Sequence, residues 1–170
     1  LYERGKLIRW FGIDRDKRNY KGKDFRMEND IAEWGYKFHM NDINATIGLY
    51  NLPHIDGLLE KNLHNFQYLH AQLKHDDLEL FENKEDRVSA AWLFTMKVKR
   101  KSEFIDKMKT YGIATSQVHN RNDINSCVEE FKCDLPNISE LEKELICIPV
   151  GWWLSQEDLE YMVEKINGGW

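Results

Sequence analysis

The sequence predicts a mixed α/β chain: a helical front section joined by one long amphipathic helix to a back section of strands alternating with helices. Three observations carry that reading. Ile55, Leu58, Leu59, Leu63, Phe66, Leu69 and Leu73 recur three and four residues apart, as on a helix with one buried face. Farther on, "AAWLFTMKV" (90–98), "IATSQVH" (113–119) and "ELICIPV" (144–150) abandon that period and read as strands. Ser155 and Asp158 then make a capping box that opens a last helix.

The elements follow in order. Leu1, Leu7, Ile8 and Phe11 fall at helical spacing, and Gly12 supplies a stop. The polar stretch "IDRDKRNYKGKDFRMENDIAEWGYKF" has no period and reads as a long loop, a class often functional. Asn41 or Asp42 caps the next helix, with Ile43, Ile47 and Tyr50 on one side. Pro53 suits the first turn of the long helix. "SEFIDKMKTYG" is a charged helix ending at Gly112. In the last helix Leu159, Met162, Val163 and Ile166 point inward and Gly168 closes it. No internal repeat or low-complexity segment is present.

At 170 residues the chain suits one domain or slightly more. Its 42% hydrophobic content provides for a real core, so disorder is not expected. The net charge of −5 argues against a nucleic-acid binder. Charge is uneven, however. Residues 1–26 hold nine Lys/Arg against four Asp/Glu, so that segment is +5 and the rest −10. Cys127, Cys133 and Cys147, an odd number without C-x-x-C spacing, point to a reducing compartment rather than disulfides or zinc. No run approaches the ~18 apolar residues of a membrane span, and no signal peptide is visible. The chain opens on Leu1, which suggests a piece of something longer.

His54, His64, His70 and His75 never fall four apart, and no H-E-x-x-H occurs, so a metal site is not expected. G-x-S-x-G, Walker A and G-x-G-x-x-G are absent, which removes simple hydrolase, P-loop and dinucleotide readings. Two places remain. Lys37 and His39 alternate with Tyr36, Phe38 and Met40 just before a capped helix, an arrangement that suits an anion as well as a plain surface. His119 ends an expected strand and opens the polar run Asn120, Arg121, Asn122, Asp123, suited to ligand contact or to a turn. Trp152 and Trp153 more ordinarily close a core than stack on a base or sugar.

Together these pieces resemble a family. "WGYKFHMNDINATIGLYNL" (34–52) is similar to the G-Y-N-x-R-M-x-D-x-x-A-A-x-G-L-x-Q-L segment of the DegT/DnrJ/EryC1/StrS sugar aminotransferases. "LIRWFGIDRD", "SEFIDKMKTYGIATSQVH" and "CIPVGWWLSQEDLEYMVEKI" resemble its other pieces, in the same order. The resemblance implies the C-terminal part of a pyridoxal-phosphate transferase of fold type I. Residues 1–52 would end the large, cofactor-binding domain, and 53–170 would form a small domain of helices on an antiparallel sheet. It implies a cytoplasmic homodimer with active sites at the interface, acting on a nucleotide-linked keto sugar for polysaccharide or glycan synthesis.

Site roles carry over residue by residue. Lys37 stands at the family's asparagine position, where a contact to the phosphate of the neighbouring subunit's cofactor is implied. His39 stands at the arginine position. His119, with Asn120 beside it, matches a strand-end histidine near bound sugar, although "NRND" replaces the usual aromatic and proline residues. The chemistry needs a lysine to condense with the cofactor aldehyde and then move a proton. None of the sixteen lysines has the serine-rich, post-strand context the family gives it, so no catalytic residue is expected here. The other reading is a non-catalytic module for dimerisation or nucleotide-sugar binding.

Overall fold

A computed structural model describes residues 1–14, 30–38 and 40–170. Its helices are α1 (Tyr2–Ile8), α2 (Asp42–Asn51), α3 (Ile55–Gln72), α4 (Lys101–Thr110), α5 (Pro136–Glu144) and α6 (Gln156–Asn167). The strands are β1 (Leu78–Leu80), β2 (Phe94–Val98) and β3 (Leu145–Ile148), an antiparallel sheet in the order β1-β2-β3. Short 3-10 segments cover Leu52–His54, between α2 and α3, and Ser126–Phe131.

The core forms where the two periodicities meet. Phe94, Met96 and Val98 alternate along β2 and are buried, while Thr95 and Lys97 between them are only half-buried. Register places Phe94 opposite Ile148 and Met96 opposite Ile146, which gathers these side chains on one face of the sheet. Onto it pack Leu69 of α3 and Leu73 just past its end, Phe104, Ile105 and Met108 of α4, and Leu159, Met162 and Ile166 of α6. Burying each such side chain contributes roughly 1.5–3 kcal/mol. β3 is buried along its whole length.

Chain ends are set by local chemistry. Ser155 Oγ accepts from the Asp158 amide and Asp158 Oδ2 accepts from the Ser155 amide, completing the expected capping box. Arg100 enters α4 in the left-handed region (φ 51°), unusual for a side chain of its size. Its guanidinium holds that turn by donating to Asp77 Oδ2 (2.6 Å), Glu103 Oε2 (2.9 Å) and the Trp170 carbonyl (2.6 Å).

The structure departs from the sequence reading in definite places. Residues 113–119 are not a ladder strand. Only Ser116 pairs, exchanging both amide bonds with Cys147 (3.0 and 2.9 Å), and beyond Gln117 the chain turns outward with Val118 and His119 exposed. The strand expected over 90–98 starts at Phe94, because Ala91 sits at φ 49° and breaks the extended backbone. β1, α5 and the 126–131 segment went unforeseen. α1 stops at Ile8, and Gly12 closes the following turn instead. Pro53 lies in the 3-10 turn that leads into α3.

Candidate functional site

The Lys37 segment is built as a ribbon locked to the end of α1. The Tyr36 amide donates to the Ile8 carbonyl (2.7 Å), the Phe11 amide to Tyr36 (3.2 Å) and the Phe38 amide to Arg9 (3.2 Å). Trp10 and Lys37 form an antiparallel bridge. Two glycines make this approach possible. A Cβ on Gly35 would lie 2.5 Å from the Ile8 carbonyl oxygen, and one on Gly12 (φ 79°) would overlap the carbonyl of Glu33. Arg4 grips Glu33 with Nε at 3.1 Å and Nη2 at 2.6 Å, which raises the guanidinium pKa and lowers that of the carboxylate.

Alternation along the ribbon sorts its side chains. Trp34, Tyr36 and Phe38 form an aromatic row with centroids 5.5 and 5.3 Å apart, all exposed to solvent. Lys37 alternates with that row. Its ammonium lies 5.9 Å from the Trp10 ring centroid and forms no ion pair with another described residue. His39 lies outside the described residues, as do the basic side chains from Arg15 to Arg26.

Asn41, not Asp42, caps α2: its side chain accepts from the Asn44 amide at 2.9 Å. Asp42 adds a negative charge to the first turn. The helix end is therefore already capped and electrostatically compensated. Lys37 is an exposed cation on this ribbon, and an ammonium of that kind is chemically suited to one phosphate contact.

His119 is exposed and meets Trp92 edge-on, centroids 6.2 Å apart. Asn120 is half-buried, and its amide donates to the Val118 carbonyl (3.2 Å). Arg121 is committed to structure. It pairs with both oxygens of Asp123 and donates from Nη1 to Ser139 Oγ of α5 (2.7 Å). That fork depresses the Asp123 pKa and raises that of Arg121. No hydrogen bond or ring contact joins Lys37 to His119. Trp152 and Trp153 do not close the core: both are exposed, edge to face at 6.0 Å, with the Trp153 ring filling the space a Cβ on Gly151 would need.

Helices on a small antiparallel sheet, preceded by a glycine-locked ribbon and a capped helix, match the C-terminal part of pyridoxal-phosphate-type aminotransferases. The chain belongs to the DegT/DnrJ/EryC1/StrS aminotransferase family, whose model matches residues 1–167. Among solved structures it is similar to the sugar aminotransferase CalS13 from Micromonospora echinospora, with 38% identity and a TM-score of 0.74 over 99% of this chain and 45% of that one. AtS13 from Actinomadura melliaura is similar at 36% identity and a TM-score of 0.74, over 99% of this chain and 44% of that one. Spr1654 from Streptococcus pneumoniae, solved in a PLP form, shares the fold at 19% identity and a TM-score of 0.68, covering 98% and 42% of the two chains. The chain thus spans less than half the length of these structures. Among the described residues no helix is long and apolar enough to cross a membrane.

Proposed function

We propose that these residues are the C-terminal part of a pyridoxal-phosphate-dependent aminotransferase that places an amino group on a keto group of a nucleotide-linked sugar. The observation that carries this is the match along residues 1–167, reinforced by 38% identity to a chain described as a sugar aminotransferase. Pyridoxal phosphate, when bound, supplies the electron sink that amino transfer needs.

The residues here bind and orient. Lys37, exposed on a ribbon that two glycines allow to pack tightly against the end of α1, would contact the cofactor phosphate of the second subunit in a homodimer. His39 and His119, with Asn120, would contact the sugar substrate. The lysine that holds the cofactor aldehyde lies outside these residues in this reading. Lys101, half-buried, already donates to Gln117 Oε1 (2.8 Å) and to the Glu142 carbonyl.

The test uses the whole protein, assayed for amino transfer from glutamate to nucleotide-linked keto sugars, beside its Lys37→Ala variant. Turnover, with cofactor affinity lowered about tenfold or more in the variant, is expected from the loss of one charge-assisted phosphate contact. Tight nucleotide-sugar binding without turnover would favour a non-catalytic binding module.

A further inference from the structure

Residues 30–31 and 125–127 lie some 95 positions apart in sequence and trade caps. The 3-10 segment starting at Ser126 has no cap from its own flanking residue, Asn125. Instead the Asp30 carboxylate accepts from the Ser126 amide (Oδ1, 2.9 Å) and hydroxyl (Oδ2, 2.8 Å). In return Asn125 Oδ1 accepts from the Ile31 amide (3.2 Å), and the Cys127 amide donates to the Ile31 carbonyl (3.1 Å). The clasp is anchored on both sides. The Ile31 side chain lies against Gly12, where a Cβ would come within 2.8 Å of its Cγ2. Asn125 Nδ2 donates to the Asn122 carbonyl (3.0 Å), beside the Arg121–Asp123–Ser139 fork. Hydrogen bonds at 30–31 and 125–127, with the apolar packing of Ile31 on Gly12, thus link the base of the Lys37 ribbon to the segment that follows the loop opening at His119.

We propose that Asp30 and Asn125 are positioning residues: by exchanging caps they hold the Lys37 ribbon at a fixed spacing from the His119–Asn120 loop. Among the described residues no hydrogen bond or ring contact joins Lys37 to His119, and the clasp links their two segments instead. The inference rests on the reading above, in which both segments serve one reaction.

The test compares Asp30→Ala, Asp30→Asn and Asn125→Ala in the whole protein by amide hydrogen exchange and steady-state kinetics. Asp30→Ala is expected to speed exchange about tenfold at Cys127 and also at Tyr36 and Phe38, whose amides are hydrogen-bonded to α1. KM for the sugar is expected to rise about tenfold with kcat within about twofold. Asp30→Asn, which keeps an acceptor oxygen, should restore much of both, and the double Ala variant should be no worse than either single one. Faster exchange confined to 126–127, with the ribbon amides and KM unchanged, would overturn the proposal. Coupled exchange in a protein that transaminates no keto sugar would uphold the clasp and overturn the enzymatic reading.

Discussion

Gly35 and Gly12 show how little side chain the Lys37 ribbon tolerates. At Gly12 the positive φ alone would cost an L-residue about 1–2 kcal/mol, before the overlap with Glu33. Gly35→Ala has ordinary backbone angles but meets the Ile8 carbonyl, so it should unseat the ribbon from α1. Limited proteolysis near residues 36–38 would then speed up while α6 stays protected; an unchanged digest would contradict this. Charges at this scale give a pH prediction. Asp30, Glu33, Asp77, Asp123 and Asp158 are all held below the ordinary carboxylate range by hydrogen bonds that favour the charged form. A depressed folded pKa adds stability that is present above the unfolded pKa and lost as protons bind the folded state. Thermal stability should therefore hold near neutrality and fall as pH drops below about 4. A Tm flat from pH 6 to 3 would contradict it. Lys37, His119 and Asn120 stood out in the sequence through alternation and resemblance. Asp30, Asn125 and Ser126 did not, because a cap supplied from ~95 residues away leaves no local spacing to read.

Local chemistry made several elements legible. Ser155 and Asp158 announced α6, and its cap is present as read. Ser155→Ala should cost about 1 kcal/mol in urea unfolding, and no change would mean that tertiary packing alone sets the start of α6. α3 is visible because seven apolar residues repeat at helical spacing over about five turns. β1 was invisible: "LEL" is three residues long and is a strand only because Leu78 and Leu80 pair with Val98 and Met96. Residues 113–119 mislead in the opposite sense. Their buried positions alternate, yet one residue alone pairs with β3. α5 leaves little signal because its nine residues, beginning at Pro136, bury none of their side chains fully. At the sheet's centre, Met96→Ala should cost about 2–5 kcal/mol, since Met96 is 0% exposed among Leu, Phe and Ile neighbours.

Across the whole molecule, apolar exposure is concentrated at the front. Ile43, Ile47 and Tyr50 of α2 are 72%, 55% and 79% exposed, a few residues after the exposed aromatic row of the ribbon in sequence. A surface of that kind is ordinarily covered. These residues on their own should therefore self-associate, with a sedimentation coefficient that rises with concentration; Ile43→Lys with Ile47→Lys should return them to monomer, and a monomer without substitution would contradict this. The central claim is that the chain supplies a phosphate contact while the lysine that holds the cofactor aldehyde lies elsewhere in the protein. Its most direct test is borohydride reduction with pyridoxal phosphate, followed by peptide mass mapping, on residues 1–170 and on the whole protein. The account predicts no single-site adduct on these sixteen lysines and one defined adduct outside them in the whole protein. A stoichiometric adduct on one lysine within residues 1–170 would contradict it.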